Sequence, residues 1–210
     1  MVSTLFSSLN KYANAQEENF LSESLVFLLN LILEQDIEIG IQLLENICGT
    51  VEDSKFLYPD QINIYTQQTI VEGRPDIIIT YANECIVFIE VKHDACLGEI
   101  QLERYLTHLE NSDYQNKQLI LLTRSRSSIQ ETTLSADQFR QICWYQISGW
   151  LSDIKTSNEV IQFMIENFLY FLKEKEMSME KVTWEFIQGV PAIVNLAKML
   201  GTAISEAYPE

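Results

Sequence analysis

The sequence predicts an α/β (α+β) fold, a mixed sheet flanked by helices, on three observations. Helical and strand-like segments follow one another as helices, three adjacent strands, helix, strand, short strand, helices. The run Lys117 to Thr123 (KQLILLT) is continuously apolar, as in a strand covered on both faces. A composition of 47% hydrophobic and 10% aromatic over 210 residues suffices for one good core.

Taken in order, residues 1–15 read as a short helix or a loose arm. Asn19 to Leu33 predicts a helix that is apolar nearly all round and therefore buried, with Phe20, Val26, Phe27, Leu29 and Leu33 at helical spacing. Asn19 or Ser22 is its expected cap. Glu23 sits between Phe20 and Phe27, at i−3 and i+4, and a carboxylate on a buried face needs a partner. Ile37 to Cys48 predicts a second helix ending at Gly49, followed by loop to Asp60. Gln61 to Val71 reads as a strand. Ile77–Ile79 and Ile86–Ile89 read as two strands joined across Tyr81 to Glu84. Gly98 to Leu109 is an amphipathic helix, Phe139 to Ile147 a short strand running into a helix, and Val160 to Leu172 a further helix. Trp184 to Ile204 suggests one or two more, interrupted near Gly189 and Pro191. A weak boundary near 153–158 divides a core, 1–154, from a helical extension, 155–210, expected to pack on it.

Fourteen Lys and Arg against 30 Asp and Glu give a net charge of −16, which opposes broad attraction to nucleic acid or anionic membranes. No apolar run reaches the ~18 residues of a membrane span. The N-terminus lacks a basic segment followed by a long apolar one, so no signal peptide is expected. Cys48, Cys85, Cys96 and Cys143 form no CxxC and no His/Cys cluster, and read as reduced thiols of a cytoplasmic protein. Phosphate-binding loops, dinucleotide fingerprints and nucleophile elbows are all lacking.

The chemistry concentrates between Gly73 and Tyr105. Alternate strand residues share a face, so Glu90 and Lys92 project together. A hairpin brings Asp76, at the start of one strand, beside them at the end of the other. Two carboxylates and an ammonium at the edge of an apolar sheet are costly unless paired. A salt bridge is the plain solution. A hard cation such as Mg2+ is the other, with Asp76, Glu90 and the carbonyl of Val91 as oxygen ligands and Lys92 holding or deprotonating a water.

The pattern GRPDIII…VFIEVK…QLERY resembles the PD-(D/E)xK nuclease superfamily: Pro75-Asp76 matches its PD and Glu90-Val91-Lys92 its (D/E)xK. Gln101 and Tyr105 are similar to the QxxxY motif of the recombination-nuclease branch. The opening ENFLSESLVFLLN resembles the first helix of an uncharacterised bacterial and phage branch. The resemblance covers roughly 17–150 and implies a restriction-endonuclease-like αβββαβ core. It further implies a Mg2+- or Mn2+-dependent endo- or exonuclease acting on DNA, in defence or mobile-element biology. Asp76, Glu90, Val91 and Glu23 would serve the metal, and Gln101 and Tyr105 would orient Lys92 or phosphate. Arg74, Arg104, Arg124 and Arg126 are the candidate backbone contacts. RNA is the alternative substrate, and a non-catalytic or partner-dependent binding module, with a protein partner or homodimer, the alternative role. His93 and His108 have no second His or Cys at ligand spacing, and Trp144, Tyr145, Trp150 and Trp184 read as core before base-stacking platforms.

Overall fold

The computed structural model describes residues 4–13, 16–49, 56, 58–92, 99–125, 138–178, 191, 194, 195 and 198–200. The chain divides into two compact units, 1–178 and 179–210. In the second, the described residues are helical, and most of the expected Trp184 to Ile204 helices lie outside the described residues.

The first unit opens with α1 (Leu5–Asn10), α2 (Glu17–Gln35) and α3 (Ile37–Cys48), then a short 3-10 turn at Pro59–Gln61. Strands β1 (Ile62–Thr66), β2 (Ile77–Tyr81) and β3 (Cys85–Lys92) follow. Then come α4 (Glu99–Asn111), β4 (Asn116–Thr123), β5 (Phe139–Cys143), α5 (Trp144–Asp153) and α6 (Glu159–Glu174). The five strands form one sheet in sequence order. β1–β2 and β2–β3 pair antiparallel, whereas β3–β4 and β4–β5 are parallel. The result is a mixed sheet flanked by helices, as a restriction-endonuclease-like core requires.

β3 is buried on both faces as far as Val91, and β4 from Leu119 to Thr123, which explains their continuous apolar runs. Val87, Ile89 and Val91 face a large core shared with Leu25, Leu28, Ile32, Leu43, Trp144 and Phe168 from the helices. Ile86 and Phe88 face the other side, where Leu102, Tyr105, Leu106 and Leu109 of α4 cover them. The α6 residues Ile161, Phe168, Phe171 and Leu172 are buried in the first of these cores. α6, the first helix of the extension expected over 155–210, thus packs into this core.

Local chemistry sets the ends. Asp36 caps α3 by accepting from the Ile39 N–H at 3.3 Å, and Gly49 closes it at φ 78. Neither Asn19 nor Ser22 caps α2: it begins earlier, and the Ser22 hydroxyl donates to the Glu18 carbonyl at 2.8 Å. The strand expected over Gln61 to Val71 stops at Thr66, because Gln67, its N–H still on the Asp76 carbonyl, turns left-handed at φ 52 and carries the chain off the sheet beyond that bond. α2 and α3 approach closely at Gly40, where a Cβ would lie 2.6 Å from Leu33 Cδ2 and 2.9 Å from Leu33 Cα. Backbone cannot yield as a side-chain tip can. Gly40→Ala should therefore lose about 1–3 kcal/mol to overpacking, more than the ~1 kcal/mol alanine gains in helix propensity. A lowered urea midpoint at unchanged slope checks this.

Candidate active site

The β2–β3 hairpin sets Ile77 opposite Ile89, so the next position outward matches Asp76 with Glu90. Asp76 has the parity of Ile78, and Glu90 and Lys92 that of Phe88, so all three belong to the face that α4 covers. They gather at the end of β3, where the sheet changes from antiparallel to parallel pairing.

Asp76 is 8% exposed. Its Oδ2 accepts from the Val91 N–H at 2.8 Å and its Oδ1 from Gln67 Nε2 at 2.8 Å. Gln67 Oε1 in turn accepts from Arg74 Nε at 2.8 Å. Glu90 is 2% exposed, and its Oε1 takes Lys92 Nζ and Gln101 Nε2, each at 2.8 Å. Gln101 Nε2 also reaches the Tyr105 hydroxyl at 3.0 Å, joining the helix pair to the strand. Lys92 has a second carboxylate, Glu18 Oε2, at 3.3 Å.

Burial and like charge show in the protonation equilibria. Glu90 is pushed up to about 7, first by burial and then by the Asp76 charge, against the pull of Lys92 and Gln101. Asp76 is raised by burial despite its two donors. Burial works to lower Lys92, yet Glu90, Glu18 and Asp76 together hold its ammonium above the ordinary lysine range. Tyr105 is raised, chiefly by burial.

Glu90 Oε2 is buried with no hydrogen-bond partner among the described residues. That orphaned acceptor, beside a second buried carboxylate, is what a hard cation would satisfy. No group of three or more His, Cys, Asp and Glu gathers as a metal cluster among the described residues. Two carboxylates, which a backbone carbonyl and waters would complete, suit Mg2+, which keeps part of its hydration, better than an ion needing an all-protein cage. The donor set therefore fits.

The structure brings together Asp76, Glu90, Lys92, Gln101 and Tyr105, with the Val91 backbone between them. Glu23 is not among them. It is exposed on α2, on the same side as Phe27, which is 56% exposed. Glu18 is the α2 carboxylate at Lys92, and five residues turn a helix by about 140°, so the two cannot serve one face. Arg74 and Arg104 are exposed, Arg124 pairs with Glu176, and Arg126 lies outside the described residues, as does His93. Among the other basic residues, Lys117 donates to the Glu110 and Ser112 carbonyls at the end of α4. His108 pairs with Glu72 and stacks on Phe88 with centroids 5.6 Å apart. Trp144 is fully buried and Trp150 packs against the core; Trp184 lies outside the described residues. Sequence reasoning missed Glu18 and Gln67. A charged residue in the first turn of α2 was the available signal for Glu18, and Gln67 offered none.

No helix among the described residues is long and apolar enough to cross a membrane. No curated protein and no solved structure matches the chain significantly. A family model described as the PD-(D/E)XK nuclease superfamily matches residues 6–170, which takes in every element from α1 to most of α6. Most of the chain being covered, and the site residues falling within the match, the chain belongs to the PD-(D/E)XK nuclease superfamily.

Proposed function

We propose that the protein hydrolyses phosphodiester bonds of DNA, as a Mg2+- or Mn2+-dependent endo- or exodeoxyribonuclease of the cytoplasm. Membership of the superfamily supports nuclease activity and a nucleic-acid substrate in general terms. The observation that carries the metal-dependent reading is the buried, unpartnered Oε2 of Glu90 beside Asp76. Asp76, Glu90 and the Val91 carbonyl are the proposed ligands. A cation bound there would neutralise charge on the phosphate oxygens and acidify a bound water.

The chain's own groups supply the rest. Lys92 keeps its proton, since the surrounding carboxylates raise its pKa, so it acts as a donor rather than a base. It orients the attacking water or offsets charge growing on a phosphate oxygen. Gln101 holds Glu90 Oε1, and Tyr105 holds Gln101, so the carboxylate keeps its orientation. Glu18 steadies the Lys92 ammonium from α2. Arg74 and Arg104, exposed close to the motif residues, are the proposed contacts to the phosphate backbone, as is Arg126. Arg124 is held by Glu176 and would first have to leave it. A role in defence or mobile-element biology goes with the resemblance of the opening helix.

The test is cleavage of plasmid and single-stranded DNA, with RNA in parallel, in Mg2+ or Mn2+. Asp76→Ala and Lys92→Ala should be inactive. Equal cutting by wild type and both variants would sink the assignment. The net charge of −16 favours a second reading, a partner-dependent or non-catalytic binding module, because it repels a polyanion. A melting temperature unmoved by millimolar Mg2+ or Mn2+ would support that reading instead.

A further inference from the structure

We propose that Gln67, which no motif marks, is a positioning residue for Asp76, fixing its carboxylate for a divalent cation through an Arg74–Gln67–Asp76 bridge. The inference rests on the metal-dependent reading above.

Gln67 grips Asp76 twice. Its backbone N–H donates to the Asp76 carbonyl at 3.0 Å, and its side-chain Nε2 donates to Asp76 Oδ1 at 2.8 Å. To do so it adopts φ 52, a left-handed conformation that costs a non-glycine residue about 1–2 kcal/mol. Such strain persists only where the surroundings over-determine it. Here the second determinant is Arg74, whose Nε donates to Gln67 Oε1 at 2.8 Å and so fixes which end of the amide faces Asp76.

The bridge needs an amide of this length. One end must accept from a guanidinium and the other must donate to a carboxylate. Glutamate would set an acceptor against Asp76, lysine would offer nothing to Arg74, and asparagine is one methylene short of spanning the two. With the Val91 N–H on Oδ2, Asp76 has one donor on each oxygen, from two different segments. The carboxylate is thereby locked about its own axis, and each oxygen retains a lone pair for a cation. The same loop leans on the rest of the site at Gly73. A Cβ there would lie 3.1 Å from Tyr105 Cε1, so the loop passes directly over the tyrosine ring.

The experiment measures Mn2+ binding to the full chain without nucleic acid, by the electron paramagnetic resonance signal of free Mn2+. Melting in chelator is recorded beside it. Gln67→Met keeps the volume and removes both side-chain bonds. Gln67→Asn suits the left-handed backbone better than glutamine does, so it guards against simple misfolding. In both, the Mn2+ dissociation constant should rise about tenfold, as when a group supporting a metal ligand is removed. Cooperative melting should be retained, and cleavage should largely recover at saturating Mn2+, a split that a loosened loop alone would not give. Wild-type affinity in a variant that melts cooperatively overturns the inference and leaves the metal-dependent reading standing. If Gln67→Met does not fold, the asparagine variant decides. Wild type that binds no Mn2+ overturns both.

Discussion

Lys92→Met is expected to lower the rate of phosphodiester cleavage about a thousandfold, the scale of losing a positioned donor in a transition state. Methionine keeps the length and the apolar stem, and only the ammonium is lost. The Lys92 side chain is 16% exposed, and its ammonium touches Glu90 Oε1 at 2.8 Å and Glu18 Oε2 at 3.3 Å. Its removal acts twice. The reaction loses its donor, and Glu90 loses the partner that lowers its pKa. Glu90 then keeps its proton to higher pH and is a poorer ligand at neutrality. The two effects separate in single-turnover cleavage followed over alkaline pH. Raising the pH should restore the Glu90 part of the deficit and leave the donor part. Lys92→Arg should not rescue, because a planar guanidinium cannot occupy a pocket shaped by two carboxylates around a point charge. A Lys92→Met rate equal to wild type would remove the lysine from the mechanism.

Glu90→Gln should move activity and stability in opposite directions. The folded pKa of Glu90 is about 7 against 4.5 for an ordinary glutamate, so the folded chain holds this proton more tightly than the unfolded chain does. The stabilisation from that proton is complete below about pH 4.5 and is lost as the pH rises through about 7. In chelator, wild-type stability should therefore fall by about 3 kcal/mol across that window from this group. Asp76, raised by burial, contributes in the same sense. Glutamine removes the larger part of the slope, so Glu90→Gln should melt above wild type at about pH 8 in chelator, while cutting nothing. Mg2+ should then stabilise wild type and not the variant, by mass action on the state that binds it. Melting curves across pH, with and without Mg2+, decide it. A wild-type profile flat over this window would contradict the burial argument for Glu90.

Much of this was legible in the sequence, for identifiable reasons. Period-two alternation placed Glu90 and Lys92 on one face, and a short turn between two apolar runs placed Asp76 beside them. The helix over Ile37 to Cys48 was marked by its apolar spacing and its closing glycine. Glu23 failed where periodicity fails. α2 is apolar nearly all round, so its buried side could not be phased, and taking Phe27 as buried carried Glu23 inward with it. The structure turns Phe27 and Glu23 out and puts Leu21, Leu25, Leu28 and Ile32 in. Gln67 escaped because loop geometry has no period. Its left-handed backbone and its two side-chain partners exist only once β1 has ended and Asp76 is in place.

The site is assembled from contacts of very different reach along the chain. The hydrogen bond that seats Asp76 on Val91 joins residues 15 apart, whereas the ion pair of Lys92 with Glu18 joins residues 74 apart. Closing the longer loop costs about 1.4 kcal/mol more in chain entropy than closing the shorter one. The acidic pair is therefore a product of one hairpin, set as soon as two neighbouring strands meet. The lysine's second anchor depends on α2 docking across the finished sheet. Low contact order guards the half of the site that would hold a cation; high contact order makes the other half report on whether the whole domain has closed.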